Sequence, residues 1–351
     1  MEYGVKAATD IYDEARFRER LGLPFTTKKF AAIAKVCVKD LTDEIAAGIK
    51  PQTNNDCIRV INKYLISYFG NYHLENINSD ATGKYEIWLN NLMKKAPLAS
   101  TLTIHASAYR RVISTAIQKG WISEHTPIAQ MKRTGAKGRA RPAFTREEVN
   151  RLLDYLPIFA KGEHSRLAKE SRQVCRDYVE ILLGTGMRSG IESQHIKWSD
   201  ISLHIDSVTA VKYLRIGVTG KAGGRYLIAK HNIKTVLERV IAKYSQLNAY
   251  SLDRVLELKP NLYLFSLGDD MLPVSFCTTF KHLMTASGLL KDSATGQNRT
   301  LYSLRHTFAI LELMENRTDL HTLAKQMGTS VGMIERHYSK LTAVMAADRL
   351  A

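Results

Sequence analysis

Residues 179–201 have the sequence VEILLGTGMRSGIESQHIKWSDI, and this stretch constrains the fold more than any other. Apolar residues that lead into it recur at helical spacing and predict one buried helix face, made by Val174, Tyr178, Ile181 and Leu182. Gly184 and Gly186 break that helix, and Arg188 follows before a new helix begins. An arginine directly beyond a buried helix is placed to project into a cleft. The alternative is an ordinary surface salt bridge between Arg188 and Glu192.

A second arginine stands inside an apolar segment, RTLYSLRHTFAILELM, at residues 299–314. The pattern predicts a helix in which apolar residues surround Arg305, namely Leu304, Phe308, Ala309 and Leu311. A half-buried arginine is costly unless its charge is paired. Arg305 therefore either serves a site or pairs with a nearby aspartate or glutamate.

Two runs rich in β-branched and aromatic residues, SVTAVKYLRIGV (207–218) and RYLIAKHNI (225–233), predict strands. The glycine-rich segment TGKAGG lies between them and predicts a turn. We therefore expect a β-hairpin with Lys221 at or near its tip.

The segments TDLHTLAKQMG (318–328) and TSVGMIERHYSKL (329–341) predict two helices separated at Gly328. The second segment contains Tyr338, with basic residues on both sides. The chain has 16 tyrosines, so only the rest of the sequence can distinguish a nucleophile from a packed aromatic.

A tyrosine that attacks a DNA phosphodiester needs groups of the kind just described. The phosphorane-like transition state carries charge on two non-bridging oxygens, which arginine forks match with charged, bidentate donors. The departing 5′ oxygen needs a proton, which a lysine on a mobile loop can deliver. No metal is required where arginines supply the positive charge.

The boxes GTGMRSGIE…KWSDI, LRHTFA and MGTSVGMIERHYSKL occur in this order, and together they resemble those of the tyrosine recombinases, specifically the phage-type integrases. The resemblance covers about the C-terminal 200 residues. It implies that Tyr338 is the nucleophile of a 3′-phosphotyrosyl link and that Arg188 and Arg305 hold the scissile phosphate. It also implies that Lys221 is the general acid and that Glu192 orients Arg188, with no metal or other cofactor.

The chain departs from the family pattern at two positions where a histidine is common. Tyr302 stands three residues before Arg305, and Thr329 follows Gly328. Tyr302 can donate a hydrogen bond but is a poor base, since the free phenol has a pKa of about 10. Thr329 donates one hydrogen bond without charge. We expect a slower but active enzyme that relies mainly on its arginines and lysine.

Composition independently predicts a polyanionic partner. Fifty Lys and Arg against 34 Asp and Glu give a net charge of +16, which favours nucleic acid. One predicted helix carries Arg110 and Arg111 on its polar face. Residues 132–144 form a predicted basic linker with five further candidate DNA-binding residues, which are Lys132, Arg133, Lys137, Arg139 and Arg141. A plain solvated surface is the alternative for the helix face.

The predicted fold is mainly α with a small β-hairpin or sheet insert. An N-terminal stub (1–25) precedes a helical core-type DNA-binding domain (26–131), which resembles the family only in pattern. The linker (132–144) ends at a helix capped by Thr145 and Glu148. An α+β catalytic domain (145–351) follows, and its tail (339–351) is expected to pack on a neighbouring protomer.

The expected partners are double-stranded attachment sites and three further copies of the chain in a tetramer on DNA, with a DNA-bending or directionality factor as an optional addition. Four isolated cysteines argue against a zinc site or disulfide framework. No apolar stretch has membrane-spanning length, and the charged N-terminus is unlike a secretory signal. We therefore expect a cytoplasmic, nucleoid-associated protein encoded by a phage or genomic island.

Two other functions fit part of the sequence. The predicted helices around Gly328 also have the form of a helix-turn-helix, as in a DNA-binding regulator without catalysis. Chromosome-dimer resolvases and type IB topoisomerases use similar catalytic residues; the former usually keep both histidines, and the latter relax supercoils without sequence specificity.

Overall fold

The computed structural model describes residues 2–20, 28–136, 138, 141–162, 165–220, 223–267, 275–315 and 318–336. The chain divides into two compact units, Met1–Arg139 and Ala140–Ala351. This division falls inside the segment predicted as a linker. Each unit has its own hydrophobic core.

The first unit is helical. Its helices are α1 (Glu2–Arg20), α2 (Phe30–Ala46), α3 (Asn55–Val60), α4 (Ile66–Phe69), α5 (Ser79–Met93) and α6 (Ala99–Gln118). A π-helical turn over Ile61–Leu65 joins α3 to α4. The core is rich in aromatic rings, with Phe69 in contact with Phe30, Tyr85 and Tyr109.

Helix α6 has the amphipathic pattern that the sequence predicts. Its core face buries Leu102, Ala106, Tyr109, Val112 and Ala116. Arg110 is exposed on the opposite face, whereas Arg111 is only half-exposed. The polar face is therefore less basic at its surface than the spacing alone predicts.

The second unit is mostly helical around a small sheet. Its helices are α7 (Arg146–Lys161), α8 (Arg166–Thr185), α9 (Ile191–Gln194), α10 (Ile233–Ile241), α11 (Leu252–Leu258), α12 (Cys277–Ala286), α13 (Leu301–Met314) and α14 (Leu320–Met327). Residues 331–336 are also helical. Helix α7 begins with the predicted capping box, in which the Thr145 hydroxyl accepts from the Glu148 N–H and Glu148 accepts from the Thr145 N–H.

The sheet is antiparallel and has the order β1 (Ile201–Ile205), β2 (Lys212–Gly220), β3 (Gly223–Ile228). The predicted hairpin is β2–β3, whose register runs to Gly220 opposite Gly223. Strand β1 was not predicted. The first predicted strand starts at residue 212 instead of 207, because Asp206 accepts hydrogen bonds from the N–H groups of Val208 and Thr209 and closes a turn there.

Within the described residues, no helix combines the length and apolarity needed to cross a membrane.

Candidate active site

The end of helix α8 places Arg188. Gly186 ends the helix with φ +67°, a conformation that favours glycine, and its N–H donates to the Leu182 carbonyl. A Cβ on Gly186 would lie 2.2 Å from the Phe308 ring, so α13 packs directly on this turn. The next side chain, Met187, is fully buried and anchors the segment that carries Arg188.

Arg188 is held by an acid and a backbone carbonyl. Its Nη1 donates to Glu192 Oε2 at 3.0 Å, and its backbone N–H donates to Glu192 Oε1 at 2.9 Å. Its Nη2 donates to the Gly328 carbonyl. Arg188 and Glu192 therefore form the salt bridge that the sequence suggested as an alternative. Because Glu192 is buried, this salt bridge fixes the position of Arg188 and is not an ordinary surface ion pair.

Arg305 is one of the most buried charges of the described chain, at 3% exposure. Its Nη1 donates to the Gly186 carbonyl at 2.7 Å. Among the described residues, no carboxylate forms an ion pair with it. Burial, followed by the charge of Arg188, lowers the pKa of Arg305, although an arginine stays protonated under all ordinary conditions. The structure therefore brings two guanidinium groups together around one turn, an arrangement that favours binding of an anionic ligand.

Glu192 is the centre of the hydrogen-bond network and binds a second arginine that sequence reasoning missed. Arg225, on β3, donates to both Glu192 oxygens, from Nη1 at 3.1 Å and from Nη2 at 2.6 Å. Strand alternation puts Arg225 on the same face as the buried Leu227. An arginine on the inward face of a predicted strand was the signal that could have identified it.

The protonation state of Glu192 follows from these contacts. Burial raises the pKa of the Glu192 carboxyl, but the hydrogen bonds and charge of Arg225, together with the hydrogen bonds from Arg188, outweigh burial and leave the pKa below its ordinary value. Glu192 is therefore an acceptor in every one of these contacts at neutral pH.

One side-chain amide, that of Gln326, connects helix α14 both to the sheet and to the end of α8. Gln326 Oε1 accepts from the Ile228 N–H at 3.0 Å, and its Nε2 donates to the Ile228 carbonyl at 2.7 Å. The same Nε2 donates to the Thr185 carbonyl at 3.1 Å. The amide thus pairs with an outer residue of β3 as a neighbouring strand would.

The two residues at the family's histidine positions lie on the elements just described. Tyr302, in the first turn of α13, is 41% exposed, and its ring packs edge-on against His306 at 5.1 Å between centroids. Thr329 follows Gly328, and its N–H donates to the Ala324 carbonyl at 2.9 Å. His306 is buried.

Lys221, His337 and Tyr338 lie outside the described residues. The strand ends on both sides of Lys221, Gly220 and Gly223, are described and paired. The helical residues 331–336 are anchored by Ile334, which packs in a cluster with residues of α13 and α14. The roles of Lys221 and Tyr338 remain predictions.

The candidate DNA-binding residues are distributed as follows. Lys132, Arg133 and Arg141 are exposed, and Lys132 Nζ lies 3.9 Å from a carboxylate oxygen of Glu86. Lys137 and Arg139 lie outside the described residues. Among the residues that are described, no group of three or more His, Cys, Asp or Glu side chains could hold a metal ion.

Comparison with known proteins identifies the family of the chain. A sequence model described as the phage integrase family matches residues 142–344. No curated protein matches the chain by sequence.

The chain shares its fold with solved structures that include the following three. XerH site-specific recombinase bound to a palindromic difH substrate is 17% identical, with a TM-score of 0.59 and coverage of 84% of this chain and 79% of that one. The Tn1549 transposon integrase with circular intermediate DNA is 16% identical, with a TM-score of 0.59 and coverage of 91% and 99%. A lambda integrase tetramer bound to a Holliday junction is 18% identical, with a TM-score of 0.56 and coverage of 87% and 78%. The fold-class prediction, mainly α with a small antiparallel sheet, is confirmed.

Proposed function

The chain belongs to the phage integrase family, whose members are tyrosine recombinases, and on that premise we propose that it is a catalytically active site-specific recombinase of double-stranded DNA. The observation that carries the proposal is that Arg188 and Arg305 lie close together around the turn at Gly186. Arg305 is buried, donates to a carbonyl and has no carboxylate partner among the described residues. A phosphodiester is an anion whose two non-bridging oxygens fit two arginine forks.

In the proposed reaction, the Tyr338 hydroxyl gives its proton to solvent water, its oxygen attacks the scissile phosphorus, and a 3′-phosphotyrosyl bond forms. The bond from phosphorus to the 5′ oxygen breaks, and Lys221 donates the proton that makes a free 5′ hydroxyl. Arg188 and Arg305 donate to the non-bridging oxygens, where charge develops. Attack by a 5′ hydroxyl of the other duplex reverses these steps and releases Tyr338, so the ester conserves the bond energy and no nucleotide hydrolysis is needed.

Tyr302 and Thr329 have smaller proposed roles as neutral hydrogen-bond donors to the same phosphate. Glu192 orients Arg188. General acid–base help from one side chain is typically worth about 10²–10⁴-fold in rate, so the absence of the family's common histidines slows the reaction without abolishing it.

We further propose that four protomers act on two duplexes through a Holliday junction, the substrate named for the lambda integrase tetramer. The proposed biological task is integration and excision of a phage or genomic island. Residues 339–351 are proposed to pack on a neighbouring protomer. A DNA-bending or directionality factor is compatible with this scheme.

A DNA-binding regulator without catalysis is the second candidate. It is favoured by Tyr302 and Thr329 at the two histidine positions, and by Gly328, whose left-handed conformation separates α14 from the helical residues 331–336 in the manner of a helix-turn-helix.

Covalent trapping distinguishes the two. Nicked duplexes that span the junctions of the DNA element carrying the gene would be incubated with wild type, Tyr338→Phe and Tyr250→Phe, and resolved on a denaturing gel. Tyr250 is an exposed tyrosine of the same unit and serves as the matched control. We expect an adduct with wild type and Tyr250→Phe, and none with Tyr338→Phe. Tight binding of the duplexes without any adduct would support the regulator instead.

A further inference from the structure

Arg225 is mostly buried and directs its side chain at Glu192, the residue that also holds Arg188. Its side chain is mostly buried, with an exposure of 17%. Glu192, its partner, has a side-chain exposure of 4%. Each Glu192 oxygen accepts one hydrogen bond from Arg225 and one from Arg188, so the carboxylate has two lone pairs committed to each arginine.

Arg225 also ties the strand to the end of α14. Its Nη2 donates to the Met327 carbonyl at 3.3 Å, and its Nε lies 3.5 Å from the Gln326 carbonyl in a weak contact. Carbonyls in the last turn of a helix lack partners within the helix and carry the negative end of its dipole. A cation at this position therefore both satisfies the carbonyls and stabilises the helix end.

Two glycines leave room for this arrangement. A Cβ on Gly328 would lie 2.5 Å from Arg225 Cζ, and a Cβ on Gly220 would lie 2.9 Å from Glu192 Oε2. Gly220 immediately precedes Lys221, and Gly328 immediately precedes Thr329. The Arg225–Glu192 pair thus packs against Gly220 at the end of β2 and against Gly328 at the end of α14.

Arg225 and Arg188 differ in how many of their N–H groups are used within the protein. Both η nitrogens of Arg225 donate to the protein itself. Arg188 uses one N–H of Nη1 for Glu192 and one of Nη2 for Gly328, which leaves Nε and one N–H on each η nitrogen for a ligand. Removal of Arg225 would leave Glu192 with unsatisfied lone pairs, and Arg188, which already donates to both oxygens, is a cation that can turn toward them.

We propose that Arg225 is a positioning residue for the recombination reaction. It occupies Glu192 and the last carbonyls of α14, so that Arg188 keeps its remaining N–H groups directed at the scissile phosphate. This inference rests on the proposed function. It assigns to β3 a part in catalysis that involves no contact with DNA.

Three variants test it on nicked duplexes from the element junctions. Arg225→Gln removes the charge, and Arg225→Lys keeps it without the fork. Arg215→Gln is the control, because Arg215 lies on the neighbouring strand and contacts Ser202 and Tyr226, not Glu192. We expect Arg225→Gln to slow single-turnover adduct formation by roughly 10²-fold, the size of effect that a small misplacement of a catalytic group produces, with unchanged duplex affinity. Arg225→Lys should recover part of the rate, and Arg215→Gln should match wild type.

A neutral scissile group separates positioning from a general loss of structure. Duplexes with a methylphosphonate at the scissile position lack the charge that Arg188 neutralises. The rate defects of Arg225→Gln and Arg188→Gln should therefore both shrink on this substrate. A defect of Arg225→Gln that is equally large on both substrates would overturn the proposal, since it would mean that Arg225 does not act through phosphate neutralisation.

Hydrogen exchange tests the same link without catalysis. In Arg225→Gln, peptides that cover 186–193 and 324–330 should exchange faster than in wild type or Arg215→Gln, because the Arg188 N–H donates to Glu192 and the Thr329 N–H closes the end of α14. Unchanged exchange in both peptides would refute the positioning role whether or not the enzyme is active. Faster exchange in a protein that forms no adduct even as wild type would refute the proposed function and leave the link from Arg225 to Glu192 and α14 intact.

Discussion

At the scale of single residues, the site is organised by one carboxylate and the cations around it. Glu192 accepts from two arginines and a backbone N–H, while Arg305 has only a carbonyl as a described hydrogen-bond partner. The acid therefore bonds Arg188 and Arg225 directly, whereas no described carboxylate bonds Arg305. Such asymmetry is expensive in a folded protein and is explained if an anion completes the site.

The lowered pKa of Glu192 predicts a specific pH dependence of stability. A carboxyl whose pKa is lower in the folded than in the unfolded state stabilises the fold above its unfolded pKa, about 4.3 for Glu, and loses that contribution as pH falls through the folded pKa. The difference in unfolding free energy between wild type and Glu192→Gln should therefore be constant near neutral pH and shrink below about pH 4.

Denaturant unfolding of both proteins at a series of pH values measures this difference. Glu257→Gln is the control, because Glu257 is exposed and, among the described residues, forms its ion pair with the exposed Arg254. A difference that grows as the pH falls would contradict the assignment of Glu192 as a buried, charged acceptor.

At the scale of elements, the helices were largely predictable because their apolar residues repeat at 3.6-residue spacing. The capping box of Thr145 and Glu148 followed from residue types alone. Strand β1 was missed because ISLHI is short and follows directly on a 3₁₀ turn at Trp198–Asp200. The contacts of Arg225 with Glu192 and the end of α14 join residues 33 and about 100 positions apart, and spacing along one element does not contain that information.

The contact between the end of α8 and α13 gives a prediction at this scale. Gly186→Ala combines a left-handed backbone with a Cβ 2.2 Å from Phe308. Gly288→Ala is the matched control, since Gly288 has φ +70° and nothing within 4 Å of the added Cβ. The control should cost about 1–2 kcal/mol of stability from backbone strain. Gly186→Ala should cost about 1–3 kcal/mol more from overpacking.

The midpoint and slope of urea unfolding measure both variants. Equal losses in the two proteins would show that α13 yields to the added methyl group, and that the close contact between Gly186 and Phe308 is not a requirement of the fold.

At the scale of the whole molecule, the net charge of +16 is distributed over two units, each with its own core. Neither core needs this charge. Its consequence is electrostatic attraction to polyanions, which raises association rates and weakens with salt.

Residues 132–144 give a prediction about the share of the DNA affinity that their arginines supply. Arg133→Ala combined with Arg141→Ala should weaken binding to all duplexes alike and reduce the slope of log K against log salt by about two, close to one for each phosphate that the variant no longer neutralises. Arg254→Ala is the control, because this exposed arginine lies 3.0 Å from Glu257 on α11. Fluorescence anisotropy with labelled duplexes at several salt concentrations gives the slopes. An unchanged slope in the double variant would remove both residues from the DNA-binding surface.

The amide of Gln326 has a consequence for solubility. Outer strands of sheets carry unpaired N–H and carbonyl groups that recruit strands from other molecules. Gln326 occupies both groups of Ile228 on β3, which places α14 over the outer side of that strand. Detachment of α14 from the sheet would expose the N–H and carbonyl of Ile228 to pairing with a strand of another molecule. The end of α14 accepts a hydrogen bond from Arg188 at Gly328 and covers Ile228 through Gln326, so we expect a change that detaches this helix end both to release Arg188 and to promote self-association.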